Sequence, residues 1–222
     1  MIAYKYTYLI GSLLFFVYWS YLFFKLKEYR RRLLTISFLY AILGVTFGLT
    51  YTADWWRPET VLGYRVGIED FLLGFSNAGI AAIWYLLFLK IKSRGRASWA
   101  RIAIPLVSTG IITLVLFKAL TWNSFYANSM GILIAIIYIL IKRRDLIKTS
   151  LISGVVMVLI SLPIYLLMIF ISPGWVEHTW MLEKLSGILF IGIPIEDFVW
   201  YFLVGAMISI VYPFYSEEKY EK

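Results

Sequence analysis

The 222-residue sequence predicts an all-α integral membrane protein of seven transmembrane helices, on three observations. Hydrophobic residues make up 61% of the chain and mean hydropathy is +0.80, whereas ordinary globular domains are about half apolar. Seven apolar runs are each long enough to cross roughly 30 Å of hydrocarbon at about 1.5 Å per residue. Basic residues gather in short loops that alternate with Trp-bearing ones, the pattern of a chain threaded through a bilayer.

The runs are 4–24, 33–53, 66–89, 102–121, 125–141, 149–172 and 185–213. The first carries Tyr and Trp throughout and is followed by no small-residue cleavage site, so it reads as a retained helix rather than a signal peptide. Loops 25–32, 90–101 and 142–148 hold 14 of the 21 Lys and Arg, which predicts that they face the cytoplasm. Loops 54–65, 122–124 and 173–184 carry Trp55, Trp56, Trp122, Trp175 and Trp180, which read as an aromatic belt at the outer face. The expected topology is therefore N-terminus outside and the charged tail Ser216–Lys222 inside, in the plasma membrane. Arg94-Gly95-Arg96 is the most flexible-looking connection. The net charge of +8 is accounted for by these loops, so no nucleic-acid partner is expected, and the basic loops are placed to touch anionic lipid.

One membrane domain, 1–222, is expected, with an internal repeat. Gly67-Ile68-Glu69-Asp70-Phe71 at the start of the third run recurs as Pro194-Ile195-Glu196-Asp197-Phe198 within the seventh. Both runs cross in the same direction, which predicts two parallel three-helix repeats, about 1–92 and 125–215, joined by a connector helix at about 100–121. The two acidic pairs stand at equal spacing from the inner ends of their runs and so at matching depth.

A carboxylate near the middle of a membrane helix costs roughly 2.5–3.5 kcal/mol, so four of them need partners, a proton or a chemical task. Adjacent helical positions point about 100° apart, and Glu69 and Glu196 are assigned to the interior, with Asp70 and Asp197 bonding neighbours. Carboxyls that meet in a dry pocket tend to share a proton, which leaves a neutral donor aimed at an apolar substrate. Pro194 is expected to kink the seventh helix and open a pocket. Trp200 and Tyr201 lie one turn beyond Glu196 and Asp197 and offer π-faces to a developing cation. Two plainer readings compete: the dipole of a helix N-terminus accounts for Glu69 and Asp70, and an ion pair with Lys118 or Arg65 accounts for Glu196 and Asp197.

On these residues the chain resembles the membrane-embedded, cofactor-free lycopene cyclases of bacteria, archaea and fungi, over nearly its whole length. Their signature is Pro-x-Glu-Glu/Asp once per three-helix repeat. Pro194-Ile195-Glu196-Asp197 matches it, and Gly67 replaces the proline in the first repeat. Asp54-Trp55 is similar to a weaker acid-aromatic element of that family.

The resemblance implies a redox-neutral cyclisation of carotenoid ψ-end groups to β-type rings, an intramolecular lyase or isomerase reaction. Lycopene or a related acyclic or monocyclic carotenoid would be the substrate, with membrane lipid and other carotenoid-pathway enzymes as partners. It implies Glu69, Asp70, Glu196 and Asp197 as catalytic groups, with Glu196 as acid and Glu69 as its partner or base. Phe71, Phe198, Trp200 and Tyr201 would line the substrate, and Gly67 and Pro194 would shape the backbone.

No cofactor or metal is expected: the chain has no cysteine, its one histidine, His178, sits in an outer loop without companion ligands, and no glycine-rich nucleotide fingerprint occurs. A rhodopsin is disfavoured because the seventh helix lacks an interior lysine. A carboxylate-dependent transporter is the alternative from another class, although the inner halves of the third and seventh helices are poor in polar residues. A catalytically silent carotenoid-binding protein is a third.

Overall fold

A computed structural model describes residues 2–221. Seven helices are long and apolar enough to span a membrane. They are α1 (Tyr4–Lys25), α2 (Arg30–Asp54), α3 (Ile68–Ile83, continued by a 3₁₀ turn to Leu87), α4 (Trp99–Leu114, continued by a π turn to Ala119), α5 (Ser124–Lys142), α6 (Ile147–Ile171) and α8 (Ile195–Ser216), with a short α7 (Trp175–Thr179) in a loop. The chain is an integral membrane protein, and the regular structure among the described residues is helical apart from four strands of two or three residues.

Helices α3 and α8 pack against each other at the centre and are the most buried spans. A small residue also brings α6 close to α8: a Cβ on Gly205 of α8 would meet Ser153 O at 2.7 Å and Met157 Cβ at 2.9 Å, so α6 closes directly on the glycine. Around this pair, α1 and α2 flank α3, α5 and α6 flank α8, and α4 lies on α5. Large side chains left exposed, such as Val17, Phe24, Ile42, Val107 and Phe170, belong to outward helix faces where lipid is the solvent.

Six expected spans fall close to the observed helices, and the last does not. Residues 185–194 are apolar enough to extend a span, yet they form a loop and a hairpin of β2 (Leu189–Phe190) with β3 (Ile193–Pro194). Its two turn residues, Ile191 (φ 49°) and Gly192 (φ 79°), both have positive φ, as a tight two-residue hairpin turn requires. Pro194 is consequently the N-cap of α8 and not a kink within it. The expected kink is corrected: proline presets the entry to a helix at a position where its missing N–H has no helical partner anyway.

Two loop readings also change. Trp55, Trp175 and Trp180 are only 4%, 1% and 4% exposed, so they cap the bundle core instead of forming an interfacial belt, while Trp122 remains exposed. The tail is not a free charged end. Its β4 (Lys219–Tyr220) pairs with β1 (Ile91–Ser93), and Gly95 N–H bonds Ser216 O at 3.0 Å, which pins the Arg94-Gly95-Arg96 connection.

Candidate active site

All four acids lie in the first turns of α3 and α8 and are buried. The helix-dipole reading therefore reaches Glu196 and Asp197 as well as the first pair. The ion-pair reading does not hold: among the described residues no Lys or Arg lies within salt-bridge distance of any of the four. Arg65 donates to Thr52 Oγ1 and Leu49 O, and Lys118 lies over the Phe117 ring.

Within each pair the two carboxyls diverge. Glu69 Oε1 accepts from the Val61 N–H at 2.7 Å, and Glu196 Oε1 accepts from the Ser186 N–H at 2.7 Å and from Tyr126 Oη at 3.4 Å. Each Glu thus clamps the loop leading into its own helix, and each keeps a buried second oxygen without a protein partner. Asp70 and Asp197 instead line one cavity of about 70 Å³. The expected orientation, with the glutamates facing the interior, is reversed.

The residue at the N-cap explains how the two aspartates differ. Gly67 has an N–H, and Asp70, three residues on, reaches back to accept it at 2.7 Å, as in half of a capping box. Asp70 Oδ1 accepts from Tyr8 Oη of α1 at 2.9 Å. Pro194 has no N–H to offer, so Asp197 takes side-chain donors: Tyr165 Oη of α6 at 2.6 Å and Trp180 Nε1 at 3.1 Å. The departure of the first motif from the second is therefore a change of hydrogen-bond partner that leaves both carboxyls in place.

Tyr8, Trp55, Trp56, Tyr165, Trp180, Trp200 and Tyr201 wall the rest of the cavity. Tyr201 stands edge-on to Trp200 and to Tyr165, with ring centroids 5.1 and 6.0 Å apart. Of the four aromatic residues assigned to substrate contact, Trp200 and Tyr201 reach the cavity. Phe71 stacks on Phe75 at 6.0 Å and Phe198 packs on Phe190 of the hairpin at 5.8 Å, both outside its lining. Tyr8, Tyr165 and Trp180 escaped the sequence reading because each looks like ordinary span or belt filling. Asp54 is scaffold: its carboxylate accepts the Ser124 N–H at the start of α5 at 3.0 Å.

The cavity adjoins a second, apolar groove of about 400 Å³ between α2, α3, α4, α5 and α8, and the two share Gly44, Tyr51, Gly74 and Trp200. Among the described residues no group of three or more His, Cys, Asp and Glu is placed to hold a metal.

A pair of carboxyls enclosed by aromatic side chains, opening onto an apolar groove, defines a membrane protein that brings acid groups to a site inside its bundle. The lycopene cyclase family profile matches residues 3–88 and 123–215, most of the chain, and the protein belongs to the lycopene cyclase family. No curated protein and no solved structure matches it.

Proposed function

We propose that this protein closes β-type rings on the ψ-ends of lycopene or a related carotenoid, by proton transfer and without net redox change. Family membership supports carotenoid cyclisation in general, and one observation carries the chemistry: Asp70 and Asp197, from two central helices, line one aromatic cavity at the end of an apolar groove. The polyene lies in the groove with one end in the cavity. Asp197 is the donor, because Tyr165, Trp180 and Tyr201 gather around it and their π-faces favour a nearby cation. Its proton adds to the terminal double bond, and the tertiary cation is attacked by the C5=C6 bond, closing the ring. Asp70 then takes the proton lost from C6, so substrate and product are isomers and one proton has passed from one carboxyl to the other. Exclusion of water guards the cation against hydration. Glu69 and Glu196 hold the loops that seal the chamber.

The two matched segments, of similar length on either side of 89–122, support parallel repeats of about 1–92 and 125–215 with α4 as connector. The basic loops support an outer N-terminus; the plasma membrane is the membrane proposed. One chamber handles one end at a time, so the monocyclic carotenoid accumulates when enzyme is limiting.

Expression in cells that accumulate lycopene, followed by pigment chromatography, tests the reading. β-ringed product is the expected result, and unchanged lycopene beside well-expressed protein overturns it. The junction of cavity and groove gives a graded test at Gly44. A Cβ there would stand 3.7 Å from Asp70 O and from Gly74 Cα, ordinary contact. Gly44→Ala therefore turns over within about twofold of the parent, whereas Gly44→Leu fills the throat and lowers kcat/KM at least about tenfold with little change in Tm. Equal activity of both variants would mean that the polyene reaches Asp197 by another path.

A further inference from the structure

At the opposite end of the bundle from the aspartates, a crevice of about 400 Å³ opens between the start of α2, the start of α4 and the end of α8. Arg31, Arg32 and Arg94 line it, with Glu28 the acid among its lining residues. Arg32 and Arg94 both bind Glu218, which lies behind the lining, at 2.8 and 3.2 Å; with Glu218 counted beside the lining residue Glu28, three arginines stand against two carboxylates, a net charge of +1. Arg31 is exposed and has no carboxylate within 4 Å among the described residues. Tyr29, Trp99 and Tyr215 surround the mouth, the residue types that settle at lipid headgroup level. Leu39 lines both this crevice and the apolar groove between α2 and α4, so an amphiphile seated here has a continuous apolar seam for its chain.

We propose that this crevice binds an anionic phospholipid, with its phosphodiester at Arg31 and Arg94 and one acyl chain along the seam past Leu39. The single negative charge of a phosphodiester matches the net +1, and helix ends with exposed apolar faces, such as Trp99, Ile104 and Phe38, put the mouth at the lipid boundary. The headgroup site is separate from the carboxyl cavity, and its charge argument does not depend on the proposed reaction; because the seam past Leu39 enters the groove assigned to the polyene, the acyl chain occupies only the Leu39 end of that groove.

The test is lipid retention by the purified full chain in nanodiscs containing phosphatidylglycerol and phosphatidylcholine, read by native mass spectrometry. The parent is expected to hold one phosphatidylglycerol preferentially. Arg31→Gln, an exposed and structurally neutral change, lowers that preference about fivefold, and Arg31→Gln with Arg94→Gln lowers it further. Lys142→Gln with Lys148→Gln, on another basic loop, leaves it intact. An equal loss in this control pair shows diffuse attraction of basic loops and overturns the site. Displacement of the lipid by millimolar inorganic phosphate overturns the lipid assignment in favour of a free-anion site. No preference for phosphatidylglycerol in the parent overturns it outright.

Discussion

Asp197→Asn lowers ring formation by about 10²–10⁴-fold, the ordinary worth of a positioned acid or base, and Asp70→Asn lowers it by a similar factor. Asparagine keeps the shape of the side chain and one acceptor oxygen, for Tyr165 or Tyr8, while its NH2 faces the second donor, Trp180 Nε1 or the Gly67 N–H; that mismatch costs about 1–3 kcal/mol of stability, so the activity is compared at matched levels of folded protein, where the remaining loss is chemical. Glu69→Gln and Glu196→Gln behave differently. A carboxamide oxygen still accepts the Val61 and Ser186 N–H bonds that these residues make, so each retains activity within about tenfold. Pigment conversion by the four variants at matched expression separates the two layers. Inactive glutamate variants beside active aspartate variants would move the chemistry to the other oxygen pair and sink the assignment made from the cavity.

The acids themselves were legible in the sequence, because carboxylates stranded in apolar runs and repeated at one spacing have few innocent explanations. Which member of each pair faces inward was not. A 100° step between neighbours says that they diverge and leaves the sign open until the helix start is known. That start depends on 185–194, where six of the ten residues are Leu, Ile or Phe and a hydropathy argument continues the span. The backbone of Ile191 and Gly192 turns them into a hairpin instead. Once Pro194 is the N-cap, Asp197 occupies the third helical position, the counterpart of Asp70 after Gly67.

The helical frame was easier to read than the caps and tails, since hydrocarbon thickness sets span length and basic loops mark the turns. Trp180 illustrates what composition conceals: a tryptophan in a short loop between spans fits an interfacial belt, and only its 3.1 Å bond to Asp197 identifies it as cavity wall. The tail had the charge pattern of a solvated end, and the burial of Glu218 within it depends on a partner 186 positions away, a separation no local pattern reports.

That partner gives the second large effect. Arg32 and Glu218 are 3% and 0% exposed and 2.8 Å apart, and Arg32 also bonds the Tyr85 hydroxyl and lies 4.4 Å from the Tyr212 ring centroid. Tyr85 donates to Ser209 O at 2.9 Å, so the cluster ties the start of α2, the turn that follows α3, α8 and the tail together. Removing one member leaves the other charge buried without its main counterion, which typically costs about 3–5 kcal/mol. Glu218→Ala strands Arg32, its sole carboxylate among the described residues being lost, and should show the full cost as a clear drop in Tm in detergent and early proteolysis of the tail. Arg32→Met costs less, because Arg94 remains 3.2 Å from Glu218 and is exposed enough to carry part of its solvation. The double variant Arg32→Met with Glu218→Leu recovers most of the loss, since a buried ion pair replaced whole by apolar groups is often neutral. If both single variants melt with the parent, the tail is not fastened through this pair, and its strand pairing with β1 alone must hold it.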